Sequence, residues 1–296
     1  MDATPHALAP RASKLPTLRG PAYPTLRSLA VLVGIELLVV PAMLMTASPL
    51  LAIVLATTLF ATWALWMRRK GAAVLQACNR GADLLDRGRL DEAEQLLEQV
   101  LARDRAITQL MPVAAFHRAR IELQRGNLAD AQARLSALLA SGWFAPGKLL
   151  QSLAPQVQAT LALVAALRNE LELATQVLGA GKAGPSSLDR WWVLPEAVLE
   201  LRRGRHGEVL RRIAEQREDL EATLSGRGLR QLQLLEAYAL ACVVEREDNY
   251  RGTHSIGDVD ALLHGVRPGS FDFMAVEWPG LREFMQAKRL LGRREP

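Results

Sequence analysis

Two stretches of this chain say nearly the same thing. GRLDEAEQLLEQVLARD occupies residues 88–104, and GNLADAQARLSALLAS occupies residues 126–141. Each opens on glycine, places acidic residues at the start of a helix, where the positive end of the helix dipole favours them, and continues with apolar residues at helical spacing. A short amphipathic unit of this kind cannot bury its own apolar face. Copies at a regular offset bury it against one another, so the chain is constrained to a stack of like units. Composition points the same way. Half of the residues are hydrophobic and only 5% are aromatic. Ala, Leu and Arg, which favour helix, are abundant, and strand formers are sparse outside one early segment. The fold class expected is all-α.

The unit itself is a helix pair. In LQACNRGADLLDRGRLDEAEQLLEQVLARD, Ala77, Gly81, Leu84 and Leu85 keep helical spacing in the first helix. Gly88 ends it, because glycine accepts the left-handed backbone of a helix stop. Ala93, Leu96, Leu97, Val100 and Leu101 form the stripe of the second. The pattern returns 38 residues later with Ala119, Gly126, Leu128, Ala131, Leu135 and Leu138. A third copy holds Ala162, Asn169 in place of the turn glycine, Ala174 and Leu178; a fourth holds Ala197, Gly204, Val209 and Ile213. A long helix over 228–247, a shorter partner over 255–266 and a last helix starting at Trp278–Pro279 follow. Small residues at 81, 93, 119, 131, 162 and 174 are required physically, since they let paired helix backbones approach closely.

These residues resemble the tetratricopeptide repeat, a helix–turn–helix unit of 34 residues. Gly81, Leu84, Gly88, Ala93, Leu97, Val100 and Leu101 stand at the family's positions, whereas Ala77 replaces its early aromatic and Arg105 its closing proline. The resemblance covers roughly residues 72–267. It implies a curved solenoid whose first helices line a concave groove that receives a peptide or protein partner. On that basis the groove positions are Asn79, Arg120, Gln124, Thr160, Trp191 and Arg202, with the adjacent Trp191 and Trp192 as the aromatic anchor. The residues expected to hold the repeat geometry are Gly81, Gly88, Ala93, Ala119, Gly126, Ala131, Ala174 and Gly204.

The N-terminal part has a different character. Residues 1–25 carry Pro5, Pro10, Pro16, Pro21 and Pro24 and read as a disordered tail. Two apolar runs follow, 28–45 and 49–66, separated by TAS and Pro49. Each has the length of a membrane span and neither has a polar face. Arg19 and Arg27 precede the first run, Arg68, Arg69 and Lys70 follow the second, and the turn between is uncharged. The positive-inside rule then places both chain ends in the cytoplasm, with Trp63 and Trp66 at the interface. Glu36 lies mid-span. A neutral Glu36 bonded to the partner helix, at Thr57 or Thr58, is the plain expectation; a role in transport or sensing is the alternative.

Charge and motifs exclude several function classes. The formal net charge is +5. Residues 1–70 hold Arg11, Lys14, Arg19, Arg27, Arg68, Arg69 and Lys70 against Asp2 and Glu36, which accounts for the whole excess. The remaining residues balance, so the repeat region lacks the basic surface of a nucleic-acid reader. Cys78 and Cys242 form no CxxC and read as free thiols. VLGAGKAGPSS at 177–187 departs from the phosphate-loop spacing, since Ala183 follows Lys182, and it succeeds a helix rather than a strand. Among the five histidines no HExxH occurs, and His254, Asp258, Asp260 and His264 read as a solvated helix rather than a metal site. No GxSxG or isolated carboxylate pair stands out.

The expected organisation is a tail over 1–25, a transmembrane hairpin over 26–70, a tetratricopeptide-like domain over 71–267 and a capping helix with tail over 268–296. The expected function is a non-catalytic protein-interaction scaffold in a bacterial inner membrane, the Ala/Leu/Arg usage being that of GC-rich codons. It has no cofactor, no metal, no small-molecule substrate and no nucleic-acid partner. The alternative is a subunit of a membrane transport or sensing complex in which Glu36 and the hairpin are functional.

Overall fold

The four glycine or asparagine turns found in the sequence fix the architecture. In the computed structural model, which describes residues 34, 49–103, 110–145, 147–148, 150–182, 191–246 and 256–292, each turn joins two antiparallel helices. The first pair is α1 (Pro49–Asp86) and α2 (Leu90–Arg103); the second is α3 (Met111–Gln124) and α4 (Leu128–Ala140). The third is α5 (Ala154–Leu167) and α6 (Leu171–Lys182), entered through a 3-10 turn over Gln151–Leu153, and the fourth is α7 (Val193–Arg202) and α8 (His206–Glu215). Among the described residues there is no strand.

The four turns have one geometry. Gly88, Gly126 and Gly204 stand at φ 78°, 81° and 77°, and Asn169 at φ 63°. In each, the residue after the turn donates its N–H five residues back: Arg89 to Leu84 O, Asn127 to Glu122 O, Glu170 to Ala165 O and Arg205 to Glu200 O. That bond is the mark of the Schellman stop, which satisfies carbonyls the helix end leaves open. Asparagine serves at 169 because, after glycine, it tolerates the left-handed region best. The helices begin by an equally local rule. Pro112, Pro155 and Pro279 sit in first turns, where a missing N–H costs nothing.

Small residues bring each pair together. A Cβ at Gly81 would stand 3.0 Å from Leu97 Cδ2. Ala93, Ala119, Ala131, Ala162 and Ala174 are fully buried. The core divides into a small cluster, including Val74, Cys78, Leu85, Leu97 and Ile121, and a large one running from Ala115 to Leu290. Ion pairs tie successive units: Arg120 to Asp86 at 3.1 Å, and Arg125 to Asp91 and Glu94 at 2.5 Å each. Arg118 lies among Glu94, Glu98 and Glu122, at 3.8 Å from Glu98 and 2.8 Å from Glu122.

Three helices follow the repeats: α9 (Arg217–Thr223), the long α10 (Gly226–Arg246) and α11 (Ile256–Leu263). A 3-10 turn over Asp272–Ala275 and α12 (Pro279–Ala287) complete the described chain.

The two-span hairpin is not found in the form expected. Among the described residues no helix is long and apolar enough to cross a membrane. The run 28–45, apart from Gly34, lies outside the described residues, and so does Glu36. The second run opens α1 but does not end at the basic cluster. α1 is one unbroken helix of 38 residues, passing through Arg68, Arg69 and Lys70 into the first helix of the repeat. The physical reason is that Gly71, the sole helix breaker near the expected boundary, has ordinary helical backbone with open space around it.

Candidate protein-binding surface

The first helices α1, α3, α5 and α7 present the positions expected to line a groove, and they differ in what they offer. Asn79 on α1 is exposed. Arg120 and Gln124 share a face of α3, but Arg120 is held by Asp86. The Gln124 side-chain carbonyl is buried without a hydrogen-bond partner among the described residues. Thr160 on α5 is half-buried, and its hydroxyl donates to the Gln156 carbonyl of its own helix at 2.7 Å.

The tryptophan pair divides. Trp192 is the residue before α7 and is 1% exposed. Its ring lies against Gly181 of α6, where a Cβ would collide with it. It is therefore a core residue and offers no anchor to a partner. Trp191 is half-buried at the edge of the large core. The same packing accounts for one glycine of VLGAGKAGPSS: Gly181 makes room for an indole.

Arg202 is engaged within the chain. Its guanidinium donates to Ala166 O at 3.2 Å, to Leu167 O, and to Glu277 O at 2.8 Å. It also lies over the Trp278 ring, 4.8 Å from the centroid. Burial pulls its pKa down, and the nearby Glu277 charge opposes that shift. Trp278 in turn meets Tyr238 edge-on at 5.4 Å. Burial first, then the neighbouring Cys242, push the Tyr238 hydroxyl up to about 12.

Sequence reading missed several residues of this surface. Arg168, Arg227, Glu277 and Trp278 join Arg202 along the C-terminal ends of the first helices. His117 shares the α3 face with Arg120 and Gln124. Its Nδ1 is buried without a partner among the described residues, and burial, with Arg120 adding to it, lowers its pKa to about 3. One signal was present in the sequence: arginine precedes every turn residue, at 87, 125, 168 and 203. There a cation complements the negative helix end. Glu94 answers two of the network's arginines. Burial alone would raise its carboxyl, but the Arg125 hydrogen bond and the charges of Arg118 and Arg125 hold it below the ordinary range.

Chemically reactive groups are few. Cys78 is a buried thiol pushed up to about 11 by burial, and Cys242 is half-buried; neither forms a disulfide among the described residues. His254 lies outside the described residues, and Asp260 is 2.7 Å from Lys288. The described residues contain no group of three or more metal-binding side chains.

Residues 84–142 match the sequence model of the tetratricopeptide repeat family. The matched segment runs from the end of α1 through the second hairpin, the part where glycine turns and small residues are most complete. No curated protein and no solved structure matches the chain. The repeat is a module that generally binds protein partners.

Proposed function

We propose that this chain is a protein-interaction scaffold held at a bacterial inner membrane, its repeats facing the cytoplasm. The observation that carries the scaffold reading is the stack of four hairpins with one turn geometry, the first two turns lying within the tetratricopeptide match. Of the positions this reading assigns to the partner, Asn79 on α1 is exposed, and Thr160 on α5 and Trp191, just before α7, are half-buried. Aromatic anchors carry much of the affinity at protein interfaces, and the half-buried Trp191 is the anchor this reading assigns.

The bilayer attachment is supported by the sequence and by α1. The apolar runs 28–45 and 49–66 are flanked by basic residues. Val54, Leu59, Phe60, Leu65 and Trp66 of α1 are exposed at 45–60%. At about 100° per residue they point to all sides of the helix, and a helix apolar all round is not built for water. Holding the repeats at the membrane would raise the local concentration of whatever they bind.

The test is crosslinking co-purification from native membranes, with the full chain and a Trp191→Ala variant. One partner retained by the full chain and reduced about tenfold or more by the variant is the expected result. Equal recovery by both moves the contact away from Trp191. Absence of any specific partner ends the scaffold reading.

A further inference from the structure

The helix that carries the apolar N-terminal run also decides which end of the repeats looks toward it. α1 enters the first unit without a break. In the first two units the second helices, α2 and α4, therefore end on the side of α1's N-terminal half, and the hairpin turns at Gly88 and Gly126 lie at the far end. We infer that the near edge, at the connection between α4 and α5, rests on the headgroup layer of the bilayer through Trp143 and Lys148. The inference rests on the membrane attachment proposed above and adds a second contact to it.

Register fixes the distance. Gly81 of α1 faces Leu97 of α2. Six residues on from that contact, the end of α2 at Arg103 stands level with Leu75 of α1. Leu75 follows Arg69 by six residues, which is about 9 Å of helix. The second unit keeps this level. Arg125 reaches Asp91 at 2.5 Å, so the second turn stands beside the first, and α4 has 13 residues against 14 in α2. Arg68 and Arg69 are exposed and stand where the apolar run of α1 ends, the place of the headgroups in the proposed attachment. A headgroup layer is about 5–7 Å deep on each side of the hydrocarbon, so it reaches most of the way to the edge.

The two ends of the units differ in chemistry as well. The turns at 86–91, 124–129, 167–172 and 202–207 hold no Trp, Tyr or Phe. Ion pairs tie their arginines within the chain, as Arg125 to Asp91, Arg168 to Glu170 and Arg203 to Glu200. The connection over 141–153 is the reverse: it holds Trp143, Phe144 and Lys148 and no carboxylate. Phe144 is buried, Trp143 is half-buried at the rim of the large core, and Lys148 is exposed. On α1, at the level of the edge, Leu75 is 46% exposed, so apolar surface continues past the basic residues. Tryptophan belongs to the membrane–water interface and lysine to its cytoplasmic side. Seated this way, the first two units extend along the bilayer and hold their turns away from it.

The test reconstitutes the full chain, with Cys242→Ser to remove the half-buried thiol, into vesicles of phosphatidylcholine and phosphatidylglycerol. Lys148→Cys carries a nitrobenzoxadiazole label, and a lipid with a nitroxide on its headgroup is the quencher. Lys148 is exposed, so this label leaves the core alone. Ala129→Cys is the reference position: it is exposed and lies about 20 Å further from the edge along α4. The chain is expected to float with the vesicles, with the label at 148 losing about half of its emission or more and the label at 129 nearly unchanged. A label at Trp143→Cys should be quenched like the one at 148. A chain that floats with the labels at 148 and 129 alike, whether both bright or both quenched, overturns the inference and keeps the attachment. A chain that stays below the vesicles removes the attachment and the inference together.

Discussion

His117 shows how much one residue's surroundings decide. An imidazole open to water would ordinarily titrate in the physiological range. Here burial, with Arg120 adding to it, lowers the pKa to about 3. The folded chain therefore holds a neutral ring through pH values at which the unfolded chain takes a proton. Above pH 6.5 the ring is neutral in both states and contributes no pH dependence. As pH falls below 6.5 the unfolded state binds the proton alone, and stability is lost until the folded ring titrates at about 3. The slope approaches about 1.4 kcal/mol per pH unit for one such group. His117→Gln removes it. Urea unfolding at pH 7.5 and pH 5 should show a smaller acid loss in the variant than in the wild type. An identical loss would mean that the ring is not buried as described. The sequence held no sign of this, because periodicity places a histidine on a face but not the neighbours that close over it.

At the scale of elements the sequence was most informative at the turns. Glycine at 88, 126 and 204 and asparagine at 169 all stand in the left-handed region and all close the same five-residue bond. These are local requirements, so local residues reveal them. The turns nonetheless differ in a way only tertiary structure decides. A Cβ at Gly204 meets open space, whereas one at Gly126 meets Val276. Gly204→Ala should cost about 1–2 kcal/mol, the strain of a left-handed alanine. Gly126→Ala adds a steric clash and should cost more, with increased proteolysis of the 269–292 segment as an independent sign. Equal costs from urea unfolding would show that the Val276 contact carries no weight. The tryptophan pair was illegible for the opposite reason. Trp191 and Trp192 lie just before a helix start, where no period assigns a face, and the space for the buried Trp192 ring comes in part from Gly181, distant from any repeat signal.

The whole molecule departs furthest from what a repeat pattern conveys. Bonds between Arg202 and Glu277 join residues 75 apart, and no local signal marks them. The long α1 is a similar case, since it carries the apolar N-terminal run and the first repeat helix on one continuous backbone. Whatever holds its first half also fixes the orientation of the repeats, because no flexible joint lies between. The proposed bilayer attachment then has a direct consequence. The full chain should stay with membranes through an alkaline carbonate wash. Replacing both Leu59 and Phe60 with lysine places two charges on that half of α1, each costing about 2.5–3.5 kcal/mol at a span's centre. That variant should move largely to the supernatant while keeping its helical circular dichroism, since neither residue packs in the core. A wild-type chain that washes off, and that sediments as a dimer or larger species which the lysines convert to monomer, would reassign the same apolar surface to self-association. A wild-type chain that washes off as a monomer would remove the attachment altogether, leaving the repeats to find their partner in solution.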